Sequence, residues 1–308
     1  MLLTSLGPLR ELCRFNGSVK AAELLIDAGA DIHDDDVTRQ TALHTAAEAG
    51  FIEVVKLLIE KGAKMSVKDD NGCTPLYKAC GAKMDECALY MIPYAEDIID
   101  QPANNGKTPL RKAAARGHRK IVEAIFEKSG HDISVLTSKD AKERTPLHAA
   151  AQHGRKDVVE YLLHQGVPAI VADKHGQTPL RACFDGWSEA RSGDYEAVCV
   201  LLLDTERHVK PDAGLLHTAA ARGSLPVLHK LMDKGADPLA QDEHGWTSIQ
   251  IAQHYRHDEA AKALANRRAI TGYRPSELKN TLPKLLKLSD NKLEVKSTSK
   301  GIEEFHLK

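Results

Sequence analysis

The 308 residues include 42% apolar and 28% charged side chains, enough for one large or two ordinary soluble domains and far from the composition of a disordered chain. Aromatics are only 5%, so a core must come mainly from Ala, Leu, Ile and Val, which favours close-packed helices over aromatic-rich strands. The formal charge of −1 hides an asymmetry: residues 267–308 hold 10 Lys/Arg against 5 Asp/Glu, while no basic run exceeds two residues, a weak basis for nucleic-acid or membrane contact.

The opening MLLTSLGPLRELCRF has no basic start and meets charge at Arg10 and Glu11, unlike a signal peptide, and no apolar run approaches membrane-spanning length. Six cysteines (13, 73, 80, 87, 183 and 199) include no Cys-x-x-Cys pair, so a reducing compartment, cytoplasmic or nuclear, is expected.

Residues 8–40 fit loosely a frame that then repeats as TALHTAAEAG at 41, TPLYKACGAK at 74, TPLRKAAARG at 108, TPLHAAAQHG at 145, TPLRACFDG at 178, GLLHTAAARG at 214 and TSIQIAQHYR at 247. The intervals of 33, 34, 37, 33, 36 and 33 make about eight units. In the unit at 145, Thr145 caps a helix, Pro146 fits its first turn, Ala149 to Ala151 allow close approach of a second helix, and Gly154 ends the first. Val158, Val159, Leu162 and Leu163 then recur at helical spacing, with Gly166 as the second stop. Stretches such as VADKHGQ and AQDEHGW carry tight-turn chemistry between units.

Departures from this frame come in chain order. The unit at 74 has Lys83 where glycine should stop its first helix, and Pro93 should shorten its second. The unit at 178 gains about six residues in FDGWSEARSGD, expected in the turn between its helices, with Trp187 either folded back on the helix ends or forming a secondary contact site. The unit at 247 is more charged, as a capping repeat requires. Residues 267–308 read as a basic tail, a segment docked on the last repeat, or the opening of a further domain.

Helix, glycine turn, helix, glycine stop and polar turn at a period near 33 resembles the ankyrin repeat over residues 8–266. The resemblance implies an all-α solenoid of stacked helix–turn–helix units with β-turn fingers, occupying residues 1–266. It also raises a SPRY-like domain as one option for the C-terminus. It implies that His44, His148 and His217 bond to backbone near the next finger and tie the units together, a role that Tyr77, Arg111 and Arg181 put in doubt where they replace histidine.

Chemistry finds little support. No Gly-x-Ser-x-Gly elbow, phosphate-cradling loop or His-Glu-x-x-His string occurs, and histidines never occupy the tying position in two neighbouring units, so no enzyme activity, metal, cofactor or small-molecule substrate is expected. The resemblance instead implies a monomeric protein-binding scaffold or adaptor. Its finger contacts would be Asp70, Asn71, Asn105, Lys107, Arg144, His175, Gln177, His244 and Trp246, and its inner-helix contacts Glu48, Arg116, His153, Arg222 and Tyr255. These run from acidic at Glu48 and Asp70 to cationic at Lys107, Arg116, Arg144 and Arg222, which suits a partner with an acidic stretch. Reversing Lys107, Arg116 and Arg144 to Glu should then abolish capture without lowering stability. The rival reading is the recognition segment of a longer protein whose enzymatic or ligand-binding domain lies beyond residue 308.

Overall fold

The computed structural model describes residues 7–270, apart from 16, 83, 84, 97, 190–192, 206–210 and 212; the tail and its SPRY-like option lie outside the described residues. Helices come in pairs at the predicted period. The first four pairs are α1 (Pro8–Phe15) with α2 (Val19–Asp27), α3 (Ala42–Ala49) with α4 (Ile52–Glu60), α5 (Pro75–Ala79) with α6 (Glu86–Met91), and α7 (Pro109–Arg116) with α8 (Arg119–Lys128). A short α9 (Ile133–Leu136) precedes α10 (Pro146–Gln152) and α11 (Lys156–His164). Then follow α12 (Pro179–Glu189) with α13 (Tyr195–Thr205), α14 (Ala213–Arg222) with α15 (Leu225–Asp233), and α16 (Ser248–His254) with α17 (Asp258–Ile270). Among the described residues β structure is limited to two isolated antiparallel bridges, Asp35 with Thr41 and Gln241 with Thr247. None of these helices is long and apolar enough to cross a membrane.

The described residues divide into two compact units, one within residues 7–183 and 193–198, the other within 184–189 and 199–270. In the first, α1, α3, α5, α7 and α10 pack in succession, and α2, α4, α6, α8 and α11 do the same behind them. In the second, α14 packs on α16 and α15 on α17. Small residues make the close approach possible: Ala46, Ala79, Ala113, Ala114 and Ala150 have no exposed surface. Behind them Val54, Leu58, Ile121, Ile125, Val158 and Leu162 are equally buried, each worth roughly 1.5–3 kcal/mol of apolar transfer. All six cysteines are free and buried within this core, where burial pushes the Cys87 thiol up to about 11 and the Cys13 thiol up to about 12.

Helix starts follow the expected chemistry. The Thr74, Thr108 and Thr178 hydroxyls accept the N–H three residues on, at 3.2–3.3 Å, with proline in the first turn. In α3 and α10 the third residue is histidine, and its Nδ1 accepts the threonine N–H at 3.2 Å in both, taking the part that Glu or Gln plays in a capping box. Gln250 does the same for Thr247 at 2.8 Å. Gly117 ends α7 in the left-handed region (φ 86°) that side-chain-bearing residues avoid.

Three departures have local causes. Pro93 sits in a single 3-10 turn (Ile92–Tyr94), and α6 stops after six residues, the shortening that proline was expected to impose. The interval of 37 is taken up by α9, capped by Asp132, whose carboxylate accepts the Ser134 N–H at 2.8 Å; the spacing signalled extra residues but not their helicity. The added segment after Phe184 was expected in a turn, yet its first residues extend α12 to eleven residues, through Glu189. Alternating apolar positions continue across Phe184 and Trp187, whose rings lie 5.8 Å apart one turn from each other, and this helical spacing favours continuation over a turn.

Arg222 holds the end of that extension: its guanidinium donates to the carbonyls of Trp187 and of Ser188, the latter at 2.9 Å. Cations at helix C-termini satisfy carbonyls that have no intrahelical partner. The Trp187 ring packs on Phe184 of the same helix. Arg222→Ala is expected to cost about 1 kcal/mol and to speed amide exchange in residues 184–189, measured by hydrogen–deuterium exchange with the rest of the chain as the control.

Candidate functional site

Five of the described fingers are built around an aspartate. Asp36, Asp69, Asp140, Asp173 and Asp242 each accept, through one oxygen, the backbone N–H groups two and four residues on, at 2.8–3.0 Å. Burial pushes the Asp173 carboxyl up, but the Gln177 and His175 N–H groups and the nearby His148 outweigh it and hold it below the usual range. Neighbouring fingers are stitched by main-chain bonds: Asp70 N to Thr38 O (3.0 Å), Asn104 N to Asn71 O (2.9 Å), Ala141 N to Asn105 O (3.2 Å) and Lys174 N to Lys142 O (3.0 Å). The approach is close enough that a Cβ on Gly106 (φ 74°) would lie 2.7 Å from the Ala141 nitrogen.

The histidine ties are present. His44 Nε2 lies 3.0 Å from the Cys73 carbonyl, His148 Nε2 3.0 Å from that of Gln177, and His217 Nε2 3.0 Å from that of Ala240. Cys73 and Gln177 immediately precede the next capping threonine, whereas Ala240 lies on the entering side of its finger. Because Nδ1 of His44 and His148 accepts a backbone N–H, Nε2 carries the proton and donates.

At two further described junctions in the first unit, the tie is rebuilt from different chemistry. Arg111, buried in the histidine position, places Nη2 3.1 Å from Oδ2 of Asp140 in the next finger. Tyr77, also buried, packs with Cys73 and Ala103, and Ala103 stands where the five aspartate-centred fingers have their carboxylate. Sequence reasoning left both positions in doubt. The readable signal was the pairing of each substitution with the next finger: Arg before Asp, Tyr before Ala.

The expected contact residues are distributed unequally. Glu48 is exposed and its carboxylate lies 3.6 Å from Lys78 Nζ. The Asp70 carbonyl takes the Asn104 side-chain amide at 2.8 Å, and Asn105 Oδ1 takes the Lys107 N–H at 3.0 Å, so the fingers use part of their polar capacity on themselves. His175 and Gln177 are exposed at a finger tip. Arg144, expected to be free for a partner, is instead committed to Asp140, with Nε at 3.3 Å and Nη2 at 3.2 Å from Oδ2. Arg222 is engaged at the end of α12, as described above.

Lys107, Arg116 and His153 come together. They line a cleft of about 330 Å³ with Arg111, Lys112, Arg144 and Arg155, and Tyr77, Ala115, Ala149 and Gln152 complete the lining. No carboxylate lines it, and the pairing carboxylate behind its wall is Asp140. Burial lowers the pKa of Lys107, and Arg111 and Arg144 lower it further; burial likewise lowers that of His153, with Arg155, Arg111, Arg116 and Lys107 adding to it. In the second unit, His244, Trp246 and Tyr255 border a cavity of about 230 Å³ with His217 and His254, the Trp246 and His254 rings meeting edge to face at 5.5 Å.

A profile of ankyrin repeats in three copies matches residues 9–102, 65–137, 129–209 and 187–274. The chain belongs to the ankyrin repeat family. Ankyrin repeats are in general protein–protein interaction modules and generally non-enzymatic. The chain is 30% identical over 259 residues to the ankyrin repeat protein nuc-2 of Neurospora crassa, matching over 80% of its own length and 23% of that protein. It is 24% identical to the probable 26S proteasome regulatory subunit p28 of Saccharomyces cerevisiae, over 73% of this chain and 84% of that one. The ankyrin repeat domain of human ASB11 superposes with a TM-score of 0.52 at 22% identity, covering 87% of this chain and 100% of the other. The chain thus spans about a quarter of nuc-2, and a tenth of the Caenorhabditis elegans protein mask-1, which it matches at 26% identity.

Proposed function

We propose that this ankyrin repeat chain is a non-catalytic recruitment module that holds an acidic segment of a partner protein in the cleft around Lys107, Arg116 and His153. The observation that carries the reading is the charge of that cleft: six Lys or Arg side chains line it and no carboxylate does. Lys107 and Arg116 have no carboxylate partner among the described contacts, so their charge is available to a ligand. Scaffolds of this type present rigid surfaces whose binding is decided by a few such side chains. The six free, buried thiols support a reducing compartment, cytoplasmic or nuclear, for this work.

The commitment of Arg144 to Asp140 changes the test. Reversing Arg144 would put two carboxylates side by side in a buried finger, so a loss of capture would be confounded with a loss of structure. Lys107→Glu with Arg116→Glu avoids this. Partner capture from native extract should fall at least tenfold, about 1.4 kcal/mol or more, with the melting temperature within 2–3 °C of the parent, a small shift on the usual scale. Undiminished capture by the double variant would remove the cleft from the interface.

A second reading, that the chain is the recognition segment of a longer protein, is favoured by its 23% share of nuc-2 and opposed by its 84% share of p28. The mass of the native protein on an immunoblot separates the two, the present chain being 33.7 kDa.

A further inference from the structure

The cleft between α7 and α10 is more positive than an acidic peptide needs. Lys107, Arg111, Lys112, Arg116, Arg144 and Arg155 all line it, and the paired carboxylate, Asp140, is shared by Arg111 and Arg144. Lys112 lies over the face of Tyr77, its Nζ 5.7 Å from the ring centroid, and the nearby Glu48 carboxylate is itself held by Lys78. Arg155 spends its Nε on the Ala115 carbonyl at 3.2 Å and leaves its terminal nitrogens without a carboxylate. Several like charges are thus gathered around one concavity, an arrangement that costs self-repulsion unless an anion enters.

Resting on the recruitment reading above, we propose that this cleft is a pocket for a phosphorylated serine or threonine in an extended segment of the partner. Two features select that chemistry. A phosphate monoester carries a charge of about −1.5 to −2 and three strong acceptor oxygens, so it can engage several converging guanidinium and ammonium donors, where a carboxylate offers one charge and two oxygens. The second is the apolar part of the lining: Tyr77, Ala115 and Ala149 offer contact to the Cβ stem of a phosphorylated side chain, which a free phosphate ion lacks. The position of His153 fits as well. Burial and then the surrounding cations disfavour its protonation, and a bound dianion would oppose the cations' share of that bias.

The test uses the full chain and three oriented peptide libraries with a fixed central residue, phosphoserine, serine or glutamate, together with inositol hexakisphosphate and inorganic phosphate. Binding is read by fluorescence anisotropy, and the His153 ring is followed by NMR titration. The phosphoserine library should bind at least about tenfold more tightly than either of the others, from one or more additional charge-assisted bonds. Its affinity should fall with added salt and be lost in Lys107→Glu/Arg116→Glu, and it should raise the His153 pKa.

Equal binding of glutamate and phosphoserine libraries would overturn the phosphate assignment, as would binding of inositol hexakisphosphate without the phosphopeptides. Capture from extract keeps the two levels apart. A partner lost on phosphatase treatment supports the inference. A partner that survives phosphatase but is lost by the double variant overturns it while leaving recruitment through the cleft standing, and one that survives both overturns the recruitment reading as well.

Discussion

Asp140→Ala should lower the unfolding free energy by about 3–5 kcal/mol, the range for stripping one partner from a buried ion pair. The Asp140 side chain is 1% exposed and every lone-pair direction is used: Oδ1 accepts the Lys142 and Arg144 N–H groups at 2.9 Å, while Oδ2 meets Arg111 and Arg144. Alanine would leave the Arg111 guanidinium, 7% exposed, without a counter-charge and with its Nε already lacking a hydrogen-bond partner. It would also free two backbone donors in the finger. Two comparisons isolate the ion pair. Asp173→Ala removes the same two backbone bonds from a finger that faces a histidine, and should cost only about 1–2 kcal/mol. Arg111→Met with Asp140→Ala removes the buried charge along with its partner and should recover much of the loss. Urea unfolding of the four proteins followed by circular dichroism decides it; equal costs at Asp140 and Asp173 would mean that the Arg111 tie contributes nothing.

That tie marks where sequence reading stopped. Threonine caps and glycine stops are satisfied within one repeat, so a single string such as TPLHAAAQHG carries its own physics. The fold was legible for that reason. Junction chemistry is different, because it depends on what the following finger presents to the fourth residue of the string. Histidine finds a carbonyl, Arg111 finds Asp140, and Tyr77 finds Ala103; each looked like a departure when read alone and is a matched pair when read across the junction. The site was half legible for the same cause. The run of cations from Lys107 to Arg144 was visible, but the sequence could not show that Arg144 turns back to Asp140 while Lys112 and Arg155 turn toward the cleft. Extra residues were visible as intervals of 37 and 36, but whether they would form a new helix, as in α9, or lengthen an old one, as in α12, is decided by a cap such as Asp132 and an anchor such as Arg222.

The histidine ties should make the fold acid-sensitive above the pH range where carboxylates titrate. His44 and His148 are both held below the ordinary histidine pKa, chiefly by burial, against the opposing pull of the Cys73 or Gln177 carbonyl and the neighbouring finger aspartate. Protonation also has a geometric cost, since Nδ1 is the acceptor for the Thr41 or Thr145 N–H and a proton there would set donor against donor. A depressed pKa means that the folded state binds fewer protons than the unfolded one. Stability is therefore complete above the unfolded histidine value, near 6.5, and falls as the pH drops from there through the folded values. The finger aspartates Asp140 and Asp173 are also held low, so their contribution is lost only at more acidic pH, as it falls through their own depressed values. Two acid limbs are expected, histidine first. His148→Ala should cost about 2–3 kcal/mol at pH 7.5 by removing the inter-repeat bond and leaving the Thr145 N–H without its acceptor, and it should flatten the first limb while leaving the second. Urea unfolding at intervals from pH 7.5 down to about 2 measures both limbs, since the carboxylate limb lies below the ordinary Asp value of roughly 3.9; a His148→Ala protein whose stability falls as steeply as the parent's between pH 7 and 5 would show that the tie is not the proton-sensitive element.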